Sequence, residues 1–468
     1  MAKSTSKREK QTVMDRVSNL PDSLLCHILS FLTTKEAVVT SILSSRWKTL
    51  WTLVPNLDFE MFSSDEEQSP NHQHQLNRYG FTFAHIVSRV WALRNRSRNN
   101  ANTLKHFRLY WVSDDSDPIH VDTWVRAALT PDLEVLDLYI FPPQRFEFPS
   151  TLLNDAKSLV VLKLNGEIVL NAPSFGFLSL KTLHLENVWY ANPDTFSKLV
   201  SCCPVLQNLY LQTYAEEHDK FFKIIVPTLK TLELRFFFNR DYKLEINAPA
   251  LQDLRFSGSI SGDVLLENLS NLVKADVGVD FDDIEDYGNR IRDFIGALSS
   301  VKSLHLNSYV KECLCNTTEF DLPIFHNLAF LYIHGACLWH VLPHLLHRAP
   351  NLAVLVFEKI WYKYIECCKS YEEDSSIIER RFYEDVPVCI SSHLKTFHFI
   401  GFKGLTYELE FVGHILKTAR FLKTMKVSSA YIDSKEKFRV LKELLMLPRE
   451  SRTCQIAFNL SKHCIWFI

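Results

Sequence analysis

The sequence predicts an α/β chain in three parts: a small three-helix head, a long irregular solenoid of strand-plus-return repeats, and an α+β segment that closes it. Three observations predict this. Residues 15–60 hold three short stretches of helically spaced apolar residues. From Leu104 onward, one short apolar pattern returns again and again. After Pro387, strand and helix patterns alternate in a final block.

At 468 residues the chain is too long for one hydrophobic core. Hydrophobic residues make up 47% and charged residues 23%, proportions that exclude a wholly disordered chain. The 52 basic and 54 acidic residues nearly cancel. A nucleic-acid binder would show a basic excess, so no nucleic-acid partner is expected. No apolar run approaches the length of a membrane-spanning helix, and no membrane partner is expected. Met1 to Lys10 carries Lys3, Lys7, Arg8 and Lys10 and lacks the apolar stretch of a secretory signal. Residues 1–14 are therefore expected to form a disordered basic tail. The 11 cysteines are odd in number and include the adjacent pairs Cys202-Cys203 and Cys367-Cys368. Neighbours in sequence rarely meet disulfide geometry, so reduced thiols in the cytoplasm or nucleus are expected.

The head comes first. Pro21 suits the first turn of a helix, where its missing N–H costs nothing. Leu24, Leu25, Ile28, Leu29 and Leu32 follow at helical spacing. Thr33 and Glu36 form a capping-box pattern, so a second helix begins there and carries Ala37, Val38, Ile42 and Leu43. Ser44 or Ser45 can cap a third helix bearing Trp47, Leu50, Trp51 and Val54, which Pro55 ends. Three short helices cannot hide this much apolar surface among themselves. The excess must face another part of the chain or another protein.

This stretch closely resembles the F-box. The matching residues are Leu20-Pro21, Ile28-Leu29-x-x-Leu32, Leu43-Ser44, Arg46-Trp47 and Leu50-Trp51. The run Val54-Pro55-Asn56-Leu57-Asp58-Phe59 is similar to that of plant members. The resemblance implies docking to a Skp-type adaptor of a cullin–RING ubiquitin ligase. It implies that Leu20, Pro21, Ile28, Leu32, Leu43 and Trp47 lie at or just beneath that contact. The F-box is assigned residues 15–60.

Residues 61–80 read as a polar linker, since Ser63 to Asn77 have almost no apolar content. His72 and His74 within it lack the Cys or carboxylate partners of a metal site. Phe83, Ile86, Val87, Val90 and Trp91 then form a helical stripe that covers the open end of the solenoid. The repeat pattern is a Leu, two variable residues, an apolar residue, one variable residue and another apolar residue. It starts at Leu104, Leu133, Leu159, Leu180, Leu206, Leu229, Leu251, Leu272, Val301, Leu328, Leu352, Leu394 and Leu422. Between Leu133 and Leu352 the starts lie 21 to 29 residues apart, the period of leucine-rich repeats. Alternation makes one strand per unit, and stacked units share a core that no single unit can close. Phe196, Leu199, Val200 and Cys203 suggest a helical return, with Cys203 a small buried hydrophobe. Other returns, such as 165–179, are too short and Pro-rich, so the solenoid of residues 81–386 is irregular. Cys313-x-Cys315 has the wrong spacing for zinc. Asp282, Asp283, Glu285 and Asp286 read as a solvated acidic loop.

Residues 371–376 form a polar break in the last long interval. The block 387–460 that follows opens at Val386-Pro387 and contains His393-Leu394-Lys395-Thr396-Phe397, Gly401-Phe402-Lys403-Gly404, Arg420-Phe421-Leu422-Lys423 and Leu447-Pro448-Arg449. It is similar to the FBD domain of plant F-box proteins, with Tyr407 where an acidic residue is common. Read from its residues, 394–399 and 422–427 are strands at repeat-like spacing. A helix between them turns Phe411, Val412, Ile415, Leu416 and Ala419 inward, and Phe438, Leu441, Leu444 and Leu445 suggest a last helix. The segment is expected to end and cap the solenoid.

The sequence offers no phosphate loop, no nucleophile elbow and no metal-ligand cluster, and His334 and His340 flank a strand end. No catalytic residue, cofactor or metal is expected. The resulting expectation is a substrate-recognition adaptor of an SCF-type ubiquitin ligase: the F-box docks the Skp-type adaptor and the solenoid binds an unknown protein substrate. The alternative is an interaction scaffold or small-ligand receptor not coupled to ubiquitination.

Overall fold

The structure is a computed structural model. It describes residue 17 and residues 19–60, 83–96, 103–112, 119–142, 144–149, 157–172, 176–213, 220–237, 242–260, 263–279, 287–307, 322–335, 342–359, 385–429 and 434–460. The expectations for the tail 1–14, the linker 61–80 with His72 and His74, Cys313 and Cys315, the acidic loop at 282–286, His340 and the break at 371–376 lie outside the described residues. The chain divides into two compact units, Met1–Glu167 and Ile168–Ile468.

The first unit opens with three helices: α1 (Asp22–Leu29), α2 (Thr34–Val39) and α3 (Trp47–Leu50). Pro21 is the N-cap of α1 rather than its first residue. The predicted capping box is present: the Thr33 hydroxyl accepts from the Glu36 N–H, and Glu36 accepts from the Thr33 N–H at 2.9 Å. The third helix is shorter than its apolar spacing suggests. Turns of 3-10 helix at Thr40–Ile42 and Trp51–Leu53 flank it, and neither Ser44 nor Ser45 caps it. Arg46 occupies the cap position, with its side chain held elsewhere in the head.

Four parallel strands follow in this unit: β1 (Asn56–Glu60), β2 (His106–Val112), β3 (Val135–Phe141) and β4 (Val161–Gly166). Helix α4 (Phe83–Arg96) buries Val87, Val90, Trp91 and Arg94, with the Trp91 ring 5.8 Å from that of Phe107 on β2. Ile86, expected on the inward stripe, is 48% exposed. A 14-residue helix turns about 100° per residue, and Val87, Val90, Trp91 and Arg94 define the buried arc. Helix α5 (Ile119–Ala128) joins α4 through a Trp124 indole N–H donated to the Ser88 hydroxyl at 3.1 Å.

In the second unit eleven strands among the described residues pair in parallel, each with the next. They are β5 (Thr182–Glu186), β6 (Asn208–Thr213), β7 (Thr231–Phe236), β8 (Asp253–Gly258), β9 (Lys274–Val279), β10 (Ser303–Leu306), β11 (Phe330–His334), β12 (Val354–Glu358), β13 (Thr396–Ile400), β14 (Thr424–Ser429) and β15 (Gln455–Leu460). Every repeat start read from the sequence stands two residues before a strand and is buried. In most repeats its N–H closes a turn onto the carbonyl three residues earlier, as from Leu229 to Val226 and from Leu328 to Phe325. The next two N–H groups then bond to the preceding repeat, as Lys230 and Thr231 do to the Gln207 carbonyl. The turn thereby sets the register, and parallel strands with alternating burial follow.

The returns differ in kind. Helix α6 (Thr195–Ser201) is the predicted helical return, and Cys203 just beyond it is buried, with burial raising its thiol pKa to about 12. Elsewhere the return is a second parallel strand, at Lys220–Ile225, Tyr242–Asn247 and Asp263–Glu267. Aromatic rings fill the space between the tiers: Phe196, Phe222, Phe236 and Phe256 pass from one to the next at centroid distances of 5.3, 5.0 and 6.1 Å. Gly258 ends β8 at φ +140°, where a Cβ would lie 2.1 Å from the Phe236 carbonyl oxygen.

The last three strands continue the same ladder, with Val354 beside Thr396, Thr396 beside Thr424 and Thr424 beside Gln455. Helix α7 (Tyr287–Ala297) and helix α8 (Leu342–His347) precede this part, and helix α9 (Val388–Ser392) begins it. Helix α10 (Thr406–Thr418) buries Phe411, Val412, Ile415 and Leu416 as expected. At its N-terminus the fully buried Glu408 accepts from the Lys403 and Leu405 N–H groups and from the Lys359 ammonium at 3.4 Å. Tyr407 also accepts from Lys359, which lies over its ring. The end of β12 is thus tied into α10 by a paired, hydrogen-bonded buried charge. Helix α11 (Ser434–Met446), the last helix those residues suggest, buries Val440 and Leu444, whereas Phe438 and Leu445 are exposed.

Candidate functional site

Among the described residues, the head holds a dense group of exposed apolar side chains. Helix α1 carries two apolar stripes one residue out of phase. Leu25 and Leu29 are buried, and Leu24 and Ile28 face solvent at 49% and 45%. Phe31, Val39, Ile42 and Leu43 are 76%, 55%, 81% and 63% exposed. The inward set is Leu25, Leu29, Ala37, Trp47, Leu50 and Trp51. Small domains lack the volume to bury both sets. Clustered apolar exposure of this kind in one short segment points to an interaction surface.

Of the residues assigned from sequence, Pro21, Ile28, Leu32 and Leu43 are exposed and Leu20 is half-buried. Trp47 is 5% exposed and belongs to the core beneath them. Sequence reasoning left Leu24, Phe31, Val39 and Ile42 off that set. The signal for Leu24 was present as its i, i+4 spacing to Ile28, on the stripe opposite Leu25 and Leu29.

Arg46 fixes the approach to α1. Its guanidinium donates to the Leu20 carbonyl at 2.6 Å and to the Asp22 carboxylate at 2.9 Å. Leu20 and Pro21 are thereby held by charge-assisted bonds from α3's cap residue. Beside α2, the exposed Glu36 is held below the usual carboxylate range by the Thr33 N–H and then the Thr33 hydroxyl. The base of the head is bonded to the ladder. The Asp58 N–H donates to the Thr34 hydroxyl at 2.7 Å, and the Asn56 amide donates to the Ser30 carbonyl at 3.0 Å. Arg94 of α4 donates to the Thr52 and Val54 carbonyls.

A family model of the F-box domain matches residues 17–59. A second, described as the At1g61320/AtMIF1 LRR domain, matches residues 92–455. The chain belongs to the plant F-box/FBD/LRR-repeat family. An FBD-associated F-box protein of Arabidopsis thaliana is 31% identical over 460 residues, covering 96% of this chain and 98% of the relative. An F-box/FBD/LRR-repeat protein of the same plant is 33% identical over 466 residues, covering 95% and 93%. Another F-box/FBD/LRR-repeat protein from it is 29% identical, covering 95% of this chain and all of the relative. Within this F-box/FBD/LRR-repeat protein, the exposed apolar face therefore lies on the F-box and the long parallel ladder is its leucine-rich-repeat part.

No group of three or more His, Cys, Asp or Glu among the described residues is placed to hold a metal ion. No described helix is long and apolar enough to cross a membrane. Cys26, at the centre of the head, has its thiol pKa raised by burial and then by Asp22, so it is a poor nucleophile.

Proposed function

We propose that this protein is a non-enzymatic substrate-recognition adaptor of an SCF-type ubiquitin ligase, working in the cytoplasm or nucleus. The F-box docks a Skp-type adaptor, and through it a cullin–RING ligase, while the repeat ladder binds the protein to be ubiquitinated. One observation carries this reading: a folded F-box that buries Trp47 and Leu29 while leaving Ile28, Phe31, Ile42 and Leu43 exposed. The free-energy gain of burying these side chains is available to a partner. Ubiquitin transfer asks no chemistry of such a subunit, only that it hold a substrate near the loaded conjugating enzyme.

The test is the affinity of a Skp-type adaptor for the Leu20→Ala, Pro21→Ala double variant. A pair at the contact should cost about 2 kcal/mol, roughly thirtyfold in Kd. Unchanged affinity in a folded variant would remove these two residues from the contact. No measurable binding by the unaltered protein to any Skp-type adaptor would leave only the scaffold or receptor reading.

A further inference from the structure

The outward positions of the second unit's ladder change character along its length. On β7 and β8, Glu233, Arg235, Asp253 and Arg255 pair among themselves, with N–O distances of 2.8 Å for Arg235–Glu233, 3.6 Å for Arg255–Glu233 and 3.7 Å for Arg255–Asp253. That stretch is charge-compensated. From β10 to β13 the outward side chains are instead mostly rings and aliphatics, with Ser303, Thr396 and Glu358 the exceptions. His305, Tyr332, Val356 and His398 stand in direct register on four adjacent strands. Phe330 and Val354, between Ser303 and Thr396, form a second row, and His334, Glu358 and Ile400 a third. The rings touch: His305 lies 5.4 Å from Phe330 and 5.3 Å from Tyr332, and Tyr332 lies 6.2 Å from His334.

Glu358 is the one Lys, Arg, Asp or Glu among the strand positions of this four-strand face. Its carboxylate accepts from the Tyr332 hydroxyl and lies 3.9 Å from the His334 ring, with its side chain 15% exposed. Burial lowers the pKa of His305, His334 and His398, so the three imidazoles are neutral near pH 7. His334 is further fixed by Asn307 at 3.0 Å, and His398 by Ser428 at 2.9 Å. The result is a ring-rich face with one rigidly held carboxylate among neutral groups on these four strands, bordered by Asp276 on β9, 3.8 Å from the His305 ring, and by Lys426 on β14, in register with His398. Such a face attracts a cation twice, through the carboxylate and through the ring quadrupoles. It repels an acidic segment, because desolvating two carboxylates against each other is costly.

We propose that the β10–β13 face is the target-docking surface and takes an extended apolar segment of the substrate protein carrying one lysine or arginine, seated on Glu358 and Tyr332. This rests on the adaptor reading above and names the chemistry of its substrate.

The test uses the full chain and an array of blocked nonapeptides of alternating Val and Leu, the central residue varied as Arg, Lys, Gln or Glu. The Arg or Lys peptides should bind at least tenfold more tightly than the Gln and Glu peptides. In Glu358→Gln, which keeps an acceptor for Tyr332, that preference should shrink to twofold or less. In Glu358→Arg it should reverse. Equal binding of the Glu peptide, a preference untouched by Glu358→Gln, or no retention of any peptide by the folded chain would each overturn the proposal. Adaptor affinity is read separately on the same preparations. Loss of that affinity with peptide preference intact would sink the ligase role alone, and the converse would sink this surface alone.

Discussion

Replacing Phe31 and Ile42 by alanine should separate docking from folding in the F-box. Phe31 is 76% exposed and Ile42 81%. Full burial of such a side chain is worth about 1.5–3 kcal/mol, so covering the exposed part of each is worth roughly 1–2 kcal/mol. The double variant should therefore lose about 3 kcal/mol of adaptor binding, on the order of 100-fold in Kd. Its folding should hardly change, because both side chains already contact water in the free protein; a shift within about 0.5 kcal/mol is expected. Trp47→Ala is the opposite case. Its ring is 5% exposed, and deleting a buried Trp costs about 3–5 kcal/mol of stability. The assay is calorimetric titration of a purified Skp-type adaptor, alongside urea denaturation of each variant. A Phe31→Ala, Ile42→Ala protein that folds normally and binds within twofold of the parent would refute the argument that this exposure exists for docking.

Two further predictions concern the ladder. Gly258→Ala should destabilise the second unit by about 3 kcal/mol or more, since strain at φ +140° adds to a 2.1 Å clash with the Phe236 carbonyl oxygen. Gly296→Ala in α7 meets nothing closer than 3.8 Å and should be neutral or slightly stabilising; similar urea midpoints for the two variants would contradict the packing argument. Stability should also fall on mild acidification. Burial lowers the pKa of His305, His334, His398 and His414 in the folded state. Above about pH 6.5 both states hold these rings neutral, and below it the unfolded chain takes protons that the folded chain resists. The urea midpoint should accordingly be lower at pH 5.5 than at pH 7.5, and an equal or higher midpoint at pH 5.5 would reverse the assigned sign.

The ladder was legible because its pattern is periodic and each copy obeys the same geometry. A buried Leu or Val closes a turn, and the strand starts two residues later. Two strands escaped for opposite reasons. Val54-x-x-Leu57-x-Phe59 spells the repeat in full and forms β1, yet it lies inside the F-box motif and reads as part of it. Strand β15 has the exposed Thr453 at the starting position, so only Ile456 and Phe458 carry the alternation. The head's exposed apolar face was half legible. Apolar residues at i and i+1 of a short helix cannot both point inward, but periodicity does not say which stripe the core takes. That choice is made by Trp47, Leu50 and Trp51, which fill the side facing Leu25 and Leu29. The face on β10–β13 was invisible in sequence. It exists only because residues about 25 apart are stacked in register, as His305 is with Tyr332 and Val356.

The double membership of residues 54–60 bears on how such an adaptor works. A head joined to its ladder by a bare tether would leave a captured protein free to roam, and the gain in effective concentration falls as the tether lengthens. Here the strand that ends the F-box is itself a rung. β1 pairs with β2 from Asn56 beside His106 to Glu60 beside Tyr110. Its backbone and side chains are bonded to Thr34 and Ser30 in the helical head. Arg94 of α4 closes the other side by donating to the Thr52 and Val54 carbonyls. Rotating the head against the first rungs would break all of these bonds together, several of them buried. The partner that grips the head therefore also fixes the direction in which the first rungs of the ladder extend.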